Sequence, residues 1–192
     1  MGGGRTKGDA MKRTPELRTL SEDHHHGLVH ARRLRGAADG DEAPPTEAMA
    51  RGFVDFWQKD TAIHFRKEEE ILLPVMARHG GDVARDPLIE MLEGHARIRG
   101  LVMRLSDEVV GGKVRPETLR EIGEQLEAHI HLEERVVFPL VEDSLPEVAL
   151  KELAARLEVK EAGPRFEPWV PAGELSYAPW PGPGDSEGGG YD

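Results

Sequence analysis

Hydrophobic residues recur at helical spacing in four long stretches of the chain, and clear start and stop signals separate these stretches. A polar N-cap residue followed by proline opens the first and third stretches. A Gly-Gly pair ends the third stretch, and Gly-rich or Pro-rich segments follow the first and second. Each stretch therefore predicts an amphipathic α-helix, and the four begin at Thr14, Thr46, Asp86 and near Pro116.

The four predicted helices are joined by short connections, and a shorter helix is predicted at about 146–159. No strand pattern is apparent. This order predicts an all-α fold, an up-down-up-down antiparallel four-helix bundle with a short additional C-terminal helix. The predicted buried faces are Leu17, Leu20, Leu28, Ala31 and Leu34 in the first helix, Met49, Phe53, Phe56, Ile63, Ile71 and Val75 in the second, Leu88, Leu92, Ile98, Val102, Leu105 and Val109 in the third, and Leu119, Ile122, Leu126, Val136 and Leu140 in the fourth.

Both ends of the chain differ from the helical region at 14–160. Residues 1–13 are Gly-rich and polar, which predicts a disordered tail. Residues 161–192 are rich in Pro and Gly and have no periodic pattern. Their aromatic residues leave two alternatives, packing back onto the bundle or docking onto a protein partner. These aromatic residues are Trp169, Tyr177 and Trp180.

Composition narrows the class of protein. The formal net charge of −11 disfavours nucleic acid as a partner, because binding to phosphates needs clustered Lys and Arg. No apolar run approaches the ~18 residues that a membrane span requires, and the N-terminus has no apolar signal segment. We therefore expect a cytoplasmic protein with no membrane contact. The absence of Cys excludes disulfides, thiolate ligands and thiol nucleophiles.

One motif occurs twice, as HFRKEEEILLP at 64–74 and HIHLEERVVFP at 129–139. In each copy a histidine is followed by a glutamate four residues later and by a proline six residues beyond the glutamate. EDHHHGL and EGHARIRGL, around His24 and His95, form a looser pair. The chain therefore has the pattern of a repeated helix pair in which each pair supplies half of one site.

Every predicted helix places a histidine on its apolar face, at a depth that antiparallel packing would bring to one level. Two helices add a glutamate one turn further on. A lone core histidine is more often simply hydrogen-bonded, and acidic runs are usually solvated, but agreement among four helices favours a ligand role. Buried polar groups without partners cost about 1–3 kcal/mol each, so a multivalent cation is the expected partner.

Imidazole and carboxylate ligands together suit iron, manganese or zinc. The internal repeat favours a two-metal centre bridged by Glu68 and Glu133. A ferritin-like oxidase is disfavoured, because that class repeats Glu-x-x-His, whereas here the histidine comes first, at i+4 spacing.

The four motifs resemble the hemerythrin-like, HHE cation-binding family over about residues 14–143. LSEDHHHGL resembles the first helix of that family, EGHARIRGL the third, and the duplicated motif the second and fourth. The resemblance implies a four-helix bundle with a non-haem di-iron site, and the ligand chemistry leaves manganese or zinc as alternative metals. The implied ligands are His24, His64, Glu68, His95, His129 and Glu133.

The chain departs from the family's oxygen carriers at one position. Those proteins usually have a second histidine four residues after the one in the third helix, and this chain has Arg99 there. It therefore resembles the subgroup with fewer ligands, which includes the iron- and oxygen-sensing domain of an F-box ubiquitin-ligase subunit. Arg99 argues against plain oxygen carriage.

Two positions near the predicted site have alternative interpretations. In the first helix His24 or His25 is the ligand, and the spacing of Leu20 and Leu28 favours His24. Asp60, one turn before the second-helix histidine, either orients a ligand imidazole or is partly solvated.

Three functions are compatible with such a centre. The first is binding or sensing of O2, NO or iron itself, which we favour because no additional base, nucleophile or cleft motif stands out in the sequence. The second is enzymatic reduction of peroxide or NO. The third is iron storage or delivery, or a metal that only stabilises the bundle.

Overall fold

The structure, a computed structural model, describes residues 14–40, 46–79 and 82–158. Within these ranges the chain forms five helices and no strand, which confirms the prediction of an all-α protein. The predicted tails, with Trp169, Tyr177 and Trp180, lie outside the described residues. The helices are α1 (Arg18–Asp39, preceded by a 3-10 turn at Pro15–Leu17), α2 (46–78), α3 (Asp86–Val110), α4 (116–144) and α5 (Glu147–Glu158).

Helices α2 and α4 contain wider π-helical turns within otherwise α-helical segments. In α2 the α-helical segments are Thr46–Phe56, Ala62–Lys67 and Leu73–Arg78, and the π-helical turns are Trp57–Thr61 and Glu68–Leu72. In α4, Pro116–Leu132 and Phe138–Ser144 flank the π-helical turn Glu133–Val137.

Prolines account for two of these π-helical turns. Proline has no N–H group, and its ring clashes with the carbonyl group four residues earlier in a regular α-helix. Before Pro74 the N–H of Leu73 donates to the carbonyl of Glu68, five residues back, and before Pro139 the N–H of Phe138 donates to that of Glu133. Each wider turn starts at one of the two predicted carboxylate ligands, and α2 continues beyond Pro74 to Arg78.

The π-helical turns also change which side chains face the core. Ile63 and Val136, which the sequence pattern places on buried faces, are 47% and 41% exposed. Phe65 and Val137 are buried instead. The prediction for Ile63 and Val136 was wrong because a π-helical turn has more residues than the 3.6 of an α-helical turn, which displaces the apolar face relative to a regular pattern.

Leu92 in α3 is a third wrong assignment, with 38% of its surface exposed. Met91 is fully buried in its place. Both residues are compatible with helical spacing, because a helical face recurs at either three or four residues. From Leu88, a step of three residues leads to Met91 and a step of four leads to Leu92, and periodicity alone does not choose between them.

The most extensive contact between two helices in the described chain joins α1 and α4. A Cβ atom on Gly123 would lie 2.7 Å from the carbonyl oxygen of Ala31, and one on Gly27 would lie 2.8 Å from a methyl group of Ile130. Residues further along α1 thus meet residues earlier in α4. The pairs between α3 and α4 follow the same reversed order, Arg97 with Gln125 and Arg104 with Glu121.

Two separate hydrophobic clusters fill the interior. One lies toward one end of the helices and includes Leu34, Phe53, Leu105 and Leu119. The other lies toward the opposite end, where α5 covers it, and its members include Leu17, Met76, Leu88, Phe138 and Leu153. Along every one of the first four helices, a short polar stretch separates the two clusters. Among the described residues, no helix has the length and apolarity needed to cross a membrane.

Candidate metal centre

The six residues that the sequence predicts as ligands lie in the polar stretches between the two clusters or directly beside them, and together they form a polar layer across the helices. Their burial is nearly complete, with at most 5% of each residue exposed. His24 belongs to this group, whereas His25 is exposed. Helix α1 supplies one member, α2 two, α3 one and α4 two, and the six are His24, His64, Glu68, His95, His129 and Glu133.

Two of the imidazoles face each other on one side of this layer. The Nε2 atoms of His24 and His64 lie 2.9 Å apart. Nε2 of His24 is also 2.9 Å from Oε2 of Glu133, and Nε2 of His64 is 3.5 Å from Oε1 of Glu68. One side of the layer therefore brings together two imidazole nitrogens and one oxygen of each carboxylate.

The other side of the layer has the same composition. Nε2 of His95 lies 3.1 Å from Oε2 of Glu68 and 3.5 Å from Oε1 of Glu133. Nε2 of His129 lies 2.7 Å from Oε1 of Glu133. Each carboxylate thus directs one oxygen toward each pair of histidines, so the two groups share Glu68 and Glu133.

The chemistry of these groups fits two cations. In each group of four residues, the candidate ligand atoms lie within 4.8 Å of one another. All four carboxylate oxygens, together with Nε2 of His95 and of His129, are buried and make no hydrogen bond within the described part of the chain. Close approach without hydrogen bonding is costly for buried charges, and a cation between these atoms would satisfy them. Such nitrogen and oxygen donors suit iron, manganese or zinc.

Without a bound cation, the imidazoles and carboxylates of the layer stabilise each other's charged forms. Burial opposes the charge on His64, but Glu68, Asp23 and Glu133 outweigh it and raise its pKa to about 10. In the same way, burial opposes the charge on His95, and the two carboxylates raise its pKa to about 9. Burial also opposes ionisation of Glu133, but the imidazoles, His129 foremost, hold the pKa of that carboxyl well below its usual range.

Three further carboxylates orient the imidazoles from outside. Nδ1 of His24 donates to Oε1 of Glu134 at 2.7 Å, and Nδ1 of His95 donates to Oε1 of Glu69 at 2.7 Å. Nδ1 of His64 donates to Oδ2 of Asp23 at 3.3 Å, and Asp23 also accepts from Lys67. Such contacts direct the opposite nitrogen, Nε2, inward and increase its basicity.

The sequence interpretation missed these three carboxylates. It assigned a role to Glu68 and Glu133 in the two acidic runs but none to Glu69 and Glu134, and it considered Asp60 for the orienting role. Asp60 is exposed, and Asp23 contacts His64 instead. The duplicated motif did contain a signal for two of them, since a second glutamate, Glu69 or Glu134, follows the ligand glutamate in both copies.

Arg99 belongs to this outer layer. Its guanidinium group donates to both oxygens of Glu69, at 2.7 and 2.9 Å, and lies 5.6 Å from the ring centre of Phe65. Arg99 is therefore a cation that holds Glu69 against His95. Paired Arg–carboxylate contacts of this kind fix geometry well.

Aromatic rings cover the layer on both sides. Phe65 stacks on His95 with ring centres 3.8 Å apart, and Phe138 stacks on His24 at 5.3 Å. A small cavity of about 20 Å³ remains beside His24 and His64, and it is lined on its outer side by His26 and Asp60. That volume has room for about one water molecule.

Comparison with known proteins agrees with this arrangement. The family model of the hemerythrin HHE cation-binding domain matches residues 15–141, so this chain belongs to that family. Searches of curated proteins and of solved structures gave no significant match. Membership of a cation-binding family agrees with the two His/Glu groups, and iron is the metal typical of the family.

Proposed function

We propose that this protein is a non-haem di-iron protein that binds or senses O2, NO or iron itself. One observation carries the proposal. Two groups of buried donors, each with two imidazoles, share the carboxylates of Glu68 and Glu133, and none of the four carboxylate oxygens has a hydrogen-bond partner among the residues that the structure describes. Shared carboxylates at the junction of two donor groups are what a pair of cations requires.

The proposed ligands divide into three kinds. His24 and His64 would hold one ion, His95 and His129 the other, and Glu68 and Glu133 would bridge the pair. Iron is preferred, and manganese or zinc would suit the same donors. Two ions so held have few protein ligands each, and they would supply open coordination positions for a diatomic ligand.

The chain's own residues support access by a small ligand only. The cavity of about 20 Å³ beside His24 and His64 has room for about one water molecule, so O2 or NO fits it better than a bulky substrate. The stacked rings of Phe65 and Phe138 exclude water from much of the rest of the layer.

The distribution of the ligands over the helices favours sensing over storage. The six residues come from all four of the first helices, and the helices pack around them. Loss of the cations would leave two buried carboxylates and four imidazoles to find other partners, so packing among all four helices would change. A change of metal content or charge is thereby coupled to the shape of the whole bundle.

We also infer that helices α1 to α4 form an up-down-up-down antiparallel bundle within a domain at 14–160. Neighbouring helices contact each other in reversed residue order, which supports this topology. Asp23 meets His64 and Lys67 near the start of α1, while His30, further along α1, stacks on the earlier Phe56 of α2.

The test is metal analysis combined with optical spectroscopy, with and without oxygen. We expect about two iron ions per chain, as two groups of donors require, and a spectrum that changes when O2 or NO is admitted to the reduced protein. A spectrum indifferent to both gases, with loss of helix on chelation, would support a structural metal instead. Sustained turnover of peroxide or NO would support an enzyme.

A further inference from the structure

The three outer carboxylates leave one of the four imidazoles without an orienting partner. Asp23, Glu69 and Glu134 accept from Nδ1 of His64, His95 and His24. Nδ1 of His129 is buried and has no hydrogen-bond partner among the described residues. The two sides of the centre, equal in their inner donors, therefore differ in the layer around them.

The internal repeat explains where the missing group would be. Glu69 follows Glu68 just as Glu134 follows Glu133. Glu69 in α2 accepts from His95 in α3, and Glu134 in α4 accepts from His24 in α1, so each glutamate serves a histidine in the other half of the chain. Asp23 directly precedes His24 and accepts from His64. The corresponding residue directly preceding His95 is Gly94.

Gly94 lies against the unpartnered nitrogen. A Cβ atom built on Gly94 would be 2.6 Å from Nδ1 of His129, closer than real Cβ atoms approach such groups. The position that carries a carboxylate in the first half of the chain thus carries no side chain in the second half. His129 occupies the space that a side chain would need.

The surface outside Gly94 is also more open than the surface outside His64. A groove between α3 and α4 includes both Gly94 and His129 in its wall. Three carboxylates and one guanidinium group, those of Asp86, Glu90, Glu93 and Arg97, line the same groove, and this excess of negative charge attracts cations. On the other side, a cavity of about 20 Å³ adjoins His24 and His64.

We propose that the two ion sites are unequal, and that the ion between His95 and His129 is the weakly held, exchangeable one. The inference rests on the proposed two-ion centre. A ligating imidazole without an outer hydrogen-bond partner is a poorer and less fixed ligand, and loss of such a partner typically lowers metal affinity about 10–100-fold. In a sensor of iron, this site would respond first to a falling iron level.

Stepwise removal of iron tests the inequality. The full-length protein is loaded with iron(II) without oxygen, and a ferrous chelator is added in increasing amounts while bound iron is measured. We expect two steps separated by about 10–100-fold in chelator concentration. Two ions that leave together would overturn the inequality, whereas a chain that takes up no iron would contradict the proposed centre itself.

A variant of Asp23 identifies which ion is which. Asp23→Ala removes the outer carboxylate from His64 and makes the first site resemble the second, so the two steps should move together. Asp55→Ala, at an exposed position in α2, is the matched control and should keep the steps apart. A wider gap in Asp23→Ala would overturn the assignment, since it would mean that the ion near His64 was already the weaker one.

Discussion

At the scale of single residues, Gly94 is the position where one added carbon should alter the centre. A Cβ atom would meet Nδ1 of His129 at 2.6 Å and Cε1 at 3.2 Å, so the imidazole has to move away from its inward position. We expect purified Gly94→Ala to contain about one iron ion per chain in place of two, as measured by elemental analysis, because only one of the two proposed ion sites uses His129.

Gly100 supplies the control on the same helix. A Cβ atom on Gly100 has no atom of the described residues within 4 Å, so the side chain enters open space. Gly100→Ala should keep its full metal content and gain about 0.5–1 kcal/mol of helix stability. Equal metal content in the two variants would contradict the close contact at Gly94.

Substitution of a bridging glutamate should release more iron per chain than substitution of a histidine. Glu133 faces both groups of donors, whereas His129 faces one. We therefore expect Glu133→Gln to lose both ions and His129→Ala to lose one, measured as iron per chain. Glu124→Gln, exposed on the same helix, is the control, and retention of one firmly bound ion in Glu133→Gln would argue against a bridge.

The sequence predicts the inner residues of the site better than the outer ones, for a physical reason. Buried polar residues such as His64 and Glu68 interrupt an apolar face, and that interruption is visible in the sequence. Glu69 lies one position further round the helix, is 26% exposed and looks like any solvated glutamate. Its partners His95 and Arg99 come from another helix, so only the packing of the helices reveals its role.

At the scale of helices, the close contact between α1 and α4 depends on Gly123. A Cβ atom there would lie 2.7 Å from the carbonyl oxygen of Ala31 and 2.8 Å from Cγ of Arg35. Because a backbone atom cannot move aside without shifting its helix, Gly123→Ala should lower the free energy of unfolding by about 1–3 kcal/mol. Urea unfolding measures this change.

Gly52 in α2 provides the comparison for this substitution. In the part of the chain that the structure describes, no atom lies within 4 Å of a Cβ atom on Gly52, so Gly52→Ala should be neutral or slightly stabilising. If both alanine variants unfolded at the same urea concentration as the parent protein, the close packing of α1 on α4 would be wrong.

The lengths and order of the helices follow from sequence, but the register within α2 and α4 does not. Pro74 and Pro139 mark two of the π-helical turns, whereas Trp57–Thr61 contains no proline and no other local signal. Whether a turn widens depends on what the whole helix must pack against. An ideal period of 3.6 residues therefore places Ile63 inside, although the structure buries Phe65.

At the scale of the whole molecule, the stability of the metal-free protein should depend on pH. Neighbouring carboxylates raise the pKa of His64 from an ordinary 6.5 to about 10, and that of His95 to about 9. A raised pKa stabilises the fold below pH 6.5, where the group is protonated in both states, and this contribution disappears as pH rises through the folded-state pKa. The metal-free protein should therefore unfold at a lower urea concentration at about pH 9.5 than at about pH 7.

Bound metal should reverse this trend. Cation binding displaces protons from the imidazoles, so affinity increases with pH, and each ion present at 100 times its dissociation constant adds about 2.7 kcal/mol to stability. Zinc-loaded protein should be more resistant to urea than metal-free protein, with the difference growing from neutral to alkaline pH. An unchanged difference would mean that these imidazoles do not bind the metal.

The location of the bound ions tests the central claim most directly. Crystals of the iron-loaded protein, measured at the iron absorption edge, give anomalous peaks only where iron is bound. Two peaks are predicted in the polar layer, one beside His24 and His64 and one beside His95 and His129, with Glu68 and Glu133 reaching both. A single peak, or peaks outside this layer, would contradict the shared two-ion centre.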